Sequence, residues 1–208
     1  VAVSAWPPVR RVVTGHDDDG RSIVLSDGNA PHHWTSETIP GFGATVPWMT
    51  TAGFVDHSSD VDAASADTTI PSFPATGETI MRIVDFPPDA VYPVEAENAI
   101  FDELDGHAEK DAGQERAQGK HFWFHRTDSI DYAVVLSGEV TLILDGDEST
   151  LRPGDVVVQR ATSHAWSNRT DTNVRMLFVL IGTEPQSAEE IARTRAALAA
   201  DAVASSIA

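Results

Sequence analysis

The stretch GKHFWFHRTDSIDYAVVLSG, residues 119–138, decides how this chain is read. Successive side chains on a strand point to opposite faces, so His121, Trp123, His125 and Thr127 share one face if HFWFHRT is extended. Asp128 and Ser129 favour a turn, and a second strand, Asp131 to Ser137, follows them. The turn matters. On one continuous strand His125 and Asp131 would stand roughly 20 Å apart, at about 3.3 Å per residue, too far to share a ligand.

Outward from that stretch, EVTLIL (139–144) alternates again, and DGDE (145–148) carries an Asp-Gly hairpin signal. LRPGD leads into a strand from Val156 to Arg160, His164 follows a short turn, and VRMLFVLI (174–181) is apolar enough for a buried strand. Short strands with Gly and Asp at their turns predict an all-β barrel or sandwich.

Two segments then meet a known pattern. The first reads Gly119, five residues, His125, one residue, Thr127, three residues, Asp131, six residues, Gly138. The second has Gly154 and Asp155, then His164, three residues and Asn168. They resemble the two cupin motifs, and the resemblance runs from Gly119 to Ile181. It implies an antiparallel jelly-roll β-barrel, often with a metal at the barrel mouth held by the motif histidines and the acidic residue. Thr127 stands where the family usually has a second histidine, and Asp131 where it has glutamate. The second segment is one residue short and lacks Pro-x-Gly before its histidine.

What survives is His125, Asp131 and His164 as implied metal ligands. Two imidazoles and one carboxylate have the composition of the facial triad that leaves positions open on Fe(II). The same set suits Zn²⁺ with a bound water, Mn and Ni stay open, and so does a pocket without metal. A neutral hydroxyl is a poor ligand, so Thr127 is expected to contact substrate or a metal-bound water. His121 lies roughly 13 Å along the strand from His125, which places it at the wall or rim as a reserve ligand.

With Asp131 inward, Ala133 and Val135 turn inward too, and the next strand offers Val140, Leu142 and Leu144. The expected substrate pocket is therefore lined by His121, Trp123, Val135, Leu142 and Trp166, mostly apolar with few polar groups. Aromatic walls suit a planar substrate; core packing explains the two tryptophans equally well. Arg160 shares parity with His164 if the segment stays extended, making it a candidate to bind a substrate carboxylate.

The remainder reads as support: 1–86 as N-terminal strands and an acidic loop on the barrel, 87–186 as the barrel core, and 187–208 as a C-terminal helix, in one structural domain. VRRVVTGHDDDGRSIVLS (9–26) predicts a hairpin, with DDDG as turn chemistry because it lacks the spaced oxygens of a calcium loop. His32 and His33 are expected in a surface loop, and ATVPWMTT (44–51) as an edge strand because of Pro47. Residues 56–77 read as an acidic surface loop, with a lid over the barrel as the alternative. ETIMRIVDF (78–86) offers Ile80, Ile83 and Val84 to the core. One short helix is expected at Val94 to Leu104, stopped by Gly106 and capped by His107. Ser187 and Glu190 form a capping box for the last helix.

The net charge of −18, from 32 acidic and 14 basic residues, argues against nucleic acid or an anionic membrane as partner. No apolar run approaches the length of a membrane span. Cysteine is absent, which excludes disulfides and thiol nucleophiles and makes the cytoplasm the default expectation. No fixed-period repeat supports a second barrel, and no helix-turn-helix is visible. The expected function is a metal-dependent enzyme, Fe(II) favoured, acting on a small aromatic or carboxylated substrate, with a dioxygenase ahead of a decarboxylase, dehydratase or isomerase. A metal-free module that binds a small ligand is the other class. The resemblance also implies a homodimer.

Overall fold

A computed structural model describes residues 6–53, 61–93, 121, 124–187, 189–193 and 196. Among the described residues, eleven strands are arranged as a six-stranded sheet, a three-stranded sheet and a separate hairpin. The hairpin is β1 (Arg10–His16) with β2 (Ser22–Asn29). Its turn is built as the sequence predicts: Asp17 Oδ1 accepts the N–H groups of Asp19 and Arg21, and Gly20 takes φ 76°.

The six-stranded sheet has the order β3 (His32–Thr35), β4 (Gly43–Thr50), β5 (Thr79–Phe86), β11 (Val174–Gly182), β6 (Ser129–Ser137), β9 (Val156–Arg160). The smaller sheet runs β10 (Ala165–Ser167), β7 (Val140–Ile143), β8 (Glu148–Leu151). Every pairing is antiparallel. After β6 the chain crosses to β7 and β8, returns as β9, crosses to β10 and returns as β11. That alternation between two facing sheets makes a jelly-roll barrel.

Period-two patterning explains why these segments are strands. β11 alternates perfectly, burying Val174, Met176, Phe178 and Leu180 while the residues between them stay half-exposed. Each such side chain contributes about 1.5–3 kcal/mol by leaving water. β6 turns Ser129, Asp131, Ala133 and Val135 inward and leaves Ile130, Tyr132 and Leu136 exposed. At the corner after β6, Gly138 takes φ 81°, and a Cβ there would meet the Asn173 carbonyl at 2.8 Å. Glycine is therefore required at the end of the first motif.

Several expectations need correction. β4 is not an edge strand: β3 and β5 flank it, and Pro47 is accommodated where the pairing register shifts between Thr45 and Trp48. His32 and His33 lie on a strand rather than in a loop. Among the described residues of 121–127 (121 and 124–127) none is in a strand; Phe124 N–H bonds the His121 carbonyl at 2.8 Å, and pairing is confined to an isolated bridge at His125. The helix expected at 94–104, with His107, lies outside the described residues. Of the C-terminal helix, 189–193 and 196 are helical, opened by the reciprocal Ser187–Glu190 bonds of a capping box.

Of the acidic segment 56–77, residues 61–77 are described, and they are more structured than their composition suggests. Arg11 clamps Asp62 with two hydrogen bonds of 2.9 and 2.6 Å, Ala64 is fully buried, and Ile70 and Phe73 pack on the core. Its far end is stitched to β11 by the Gly77 N–H to Gly182 carbonyl bond. Residues 70–76 thus form a strap across the barrel.

Candidate functional site

His125 and His164 face each other across the isolated bridge. Each donates its backbone N–H to the other's carbonyl at 2.9 Å, and their rings lie 4.5 Å apart. His164 Nδ1 donates to the Thr162 carbonyl at 2.9 Å. A carbonyl only accepts, so this bond fixes the proton on Nδ1 and leaves the Nε2 lone pair available in the neutral ring. Burial, with the neighbouring His125 and against the Thr162 bond, pulls the His164 pKa down to about 3. The ring is therefore neutral at any physiological pH.

The loop that presents His164 is pinned from behind. Gln159 Nε2 donates to the Thr162 carbonyl at 2.6 Å and to Thr162 Oγ1 at 2.5 Å. At the end of the second motif, Asn168 Nδ2 donates to the carbonyls of Phe86 and Thr172, and Asn168 Oδ1 accepts from Thr170. Asn168 is a structural clamp joining β5 to the β10–β11 turn.

Both imidazoles open onto a cavity of about 110 Å³ inside the barrel. Its polar lining is Arg82, His125, Thr127, Asp131 and His164; its aromatic lining is Phe42, Phe73, Phe86, Trp166 and Phe178. The aromatics form a chain of edge contacts, from His164–Trp166 at 5.6 Å through Trp166–Phe178 at 5.5 Å to Phe86–Phe178 at 6.4 Å. Asp131 is 4% exposed, and its Oδ1 has no hydrogen-bond partner among the described residues. Burial pushes the Asp131 carboxyl up to about 6, opposed by the Ser129 hydroxyl and by the charge of Arg82. Thr127 Oγ1 shares a 2.9 Å hydrogen bond with Ser129 Oγ.

The fit to a metal is therefore partial. His125 and His164 supply two nitrogen donors, one of them with its tautomer already fixed as a ligand requires. Asp131 reaches the same cavity from β6 but is not grouped with them. Among the described residues no three His, Asp or Glu side chains stand close enough together to hold an ion.

The remaining expected residues divide. Trp166 stands on the cavity wall. Val135 and Leu142 are buried in the core behind it, and neither is part of the lining. Trp123 lies outside the described residues. His121 is drawn to the barrel end, its Nε2 3.3 Å from Asp89 Oδ2. Burial pushes the Asp89 carboxyl up, but bonds from His121, Ser167 and Asn168 outweigh it and hold it below the usual carboxylate range.

Arg160 is a correction. It is exposed, opposite Ile130 on the outer face of the sheet, because Ala161 at φ 48° breaks the strand before parity can carry through to His164. The arginine inside the barrel is Arg82 of β5. Its position between Ile80 and Val84, both buried, was the available signal, since period two turns all three inward. Burial pulls its guanidinium down to about 10, with Asp131 acting in the opposite direction.

The cupin domain model matches residues 114–180. The cupin-domain-containing oxidoreductase fogC of Aspergillus ruber is 32% identical over 177 residues, covering 83% of this chain and 72% of that one. Phomopsin biosynthesis cluster protein C' of Diaporthe leptostromiformis is 32% identical over 181 residues, 84% of this chain and 79% of that one. Among solved structures, a Cupin 2 conserved barrel domain protein from Salinispora arenicola CNS-205 is 16% identical, with a TM-score of 0.33 over 61% of this chain and 76% of that one. Two motifs on a jelly-roll barrel, and 32% identity to such relatives over 83% and 84% of the chain, make it a member of the cupin superfamily.

Proposed function

We propose that this cupin is an oxidoreductase acting on a small organic molecule bound in the aromatic cavity, by a metal-dependent reaction of dioxygenase type. The observation that carries the reading is the histidine pair: two facing imidazoles, one buried, neutral and tautomer-fixed, opening onto a cavity walled by five aromatic rings. The name of the Aspergillus ruber relative supports the oxidoreductase class. A divalent ion, Fe(II) by preference and Zn, Mn or Ni as alternatives, would be held by His125 and His164, and Asp131 on the same cavity would complete the set only by moving toward them. Such an ion supplies oxygen activation if it is iron, or Lewis-acid polarisation if it is not.

The chain's own groups have separable tasks. The aromatic wall excludes water and orients a flat substrate. Asp131, pushed up to about 6, can hold or release a proton near neutrality, which suits it to general acid–base work. Thr127 offers a hydroxyl already oriented by Ser129.

The test is elemental analysis of tag-free protein beside His125→Ala and His164→Ala. Near-stoichiometric iron that both variants lose supports the oxygenase. Zinc, manganese or nickel moves the assignment to a lyase or isomerase. Protein that takes no metal after anaerobic reconstitution sinks both, and leaves the second reading. That reading is a metal-free module binding a small ligand, and the separation of Asp131 from the histidine pair favours it.

A further inference from the structure

The cavity contains a positive charge that the histidine pair and Asp131 do not employ. Arg82 donates two hydrogen bonds among the described residues, both from Nη2, to the carbonyls of Pro71 and Ser72 in the strap. Nε and Nη1 have no partner there. A guanidinium is a planar fork whose N–H groups match the two oxygens of a carboxylate; Arg82 is half-buried, so the open edge of its fork is accessible from the cavity. Asp131 is the carboxylate whose field reaches Arg82, but no hydrogen bond or ion pair joins them. The free edge of the fork is thus poised for an anion from elsewhere.

The surroundings suit that arrangement. Phe42, Arg82 and Val84 line both the inner cavity and an adjoining recess of about 330 Å³, which has His32, Trp34 and Ile70 on its other side. The inner cavity, about 110 Å³, is somewhat below the roughly 150 Å³ that admits benzene. A ligand with one ring must therefore extend along the Arg82 wall.

We propose that Arg82 is the anion anchor of this cupin: the ligand is a small carboxylate whose two oxygens are taken by Nε and Nη1, with its body against Phe86, Trp166 and Phe178. This deepens the assignment of the cavity as the substrate site and stands without the metal.

Benzoate and benzamide have nearly the same shape and differ in charge. Each is titrated into the EDTA-treated full chain, with binding read by tryptophan fluorescence and calorimetry. Benzoate is expected to bind at least about 10-fold more tightly, the worth of a charge-assisted hydrogen bond, and Arg82→Gln is expected to erase that ratio. Should Arg82→Gln fail to fold by circular dichroism, Arg82→Lys keeps the charge without the fork and is expected to cut the ratio at least about 3-fold. Equal binding of the two probes, binding of neither, or a ratio that survives these substitutions overturns the proposal. A ratio that appears only in metal-loaded protein and vanishes in His164→Ala assigns the carboxylate to the metal, and also overturns it. An Arg82-dependent ratio in a protein that never takes metal sustains the anchor while sinking the metal reading.

Discussion

Strands β5 and β9 flank the β11–β6 pair, and each carries one arginine. Arg82 sits in the middle of eight-residue β5, faces the barrel interior and is bonded to the strap. Arg160 is the last residue of five-residue β9 and projects into solvent beside Ile130. The residue type is the same, but the consequences are opposite. A continuous strand with apolar neighbours at i−2 and i+2 forces a charge inward, and the fold must then provide partners for it. A strand end with a left-handed residue next to it releases the charge to water, where it costs nothing.

The sharpest way to press this contrast is to alter the carboxylate that Arg82 feels and Arg160 does not. The Asp131 pKa is raised from its unfolded value to about 6. Its stability contribution is therefore fully present below the unfolded pKa and is lost as pH rises through 6. Asp131→Asn carries no such loss, so the stability of the variant relative to wild type should improve by about 2.5 kcal/mol between pH 4 and pH 7. Urea denaturation at the two pH values measures it, and a pH-independent difference would remove Asp131 from the buried charges.

Next in size is the strap. Arg82→Gln gives up the charge-assisted bonds to Pro71 and Ser72, about 1.5–3 kcal/mol, so amide exchange within 70–76 should accelerate about 10- to 100-fold. Arg160→Gln should leave that exchange untouched. Equal acceleration in the two variants would erase the distinction between the strands.

Ala161→Gly relieves the positive φ at the end of β9 and should stabilise the protein by up to about 1 kcal/mol in thermal melts. A loss instead would mean that the bend is not where the alternation fails. Smallest of all, Val158→Thr on the exposed face of β9 should shift stability by less than about 0.5 kcal/mol.

These contrasts show where the sequence was legible. Alternation in VRMLFVLI and SIDYAVVLS reports burial directly, because one face of each strand meets the core and the other does not. The Asp17–Gly20 turn was equally legible, its carboxylate bonding its own backbone. The motif spacings led to His125 and His164, which the barrel brings into ring contact. Beyond β9 the count failed at Arg160, since period two holds only while φ stays extended and nothing in RATSH marks Ala161 as left-handed. Arg82 is hidden for the opposite reason: the alternation from Ile80 through Arg82 to Val84 is intact, but an inward arginine runs against the apolar character of that face, and Ile83, expected in the core, lies on the other face with Met81. The strap was hidden by composition, because polar residues at 61–69 mask the anchors Ile70 and Phe73, and long-range partners such as Arg11 lie far away in sequence.

The bridge between His125 and His164 is a piece of sheet one residue pair long, closed by two mutual hydrogen bonds. It works as a rivet. The chain on either side can change length or composition without altering the spacing of the two rings, because that spacing is set by the rivet and not by the neighbouring segments. Substitutions in the loops around the barrel mouth are therefore expected to leave the spacing of the two imidazoles unchanged.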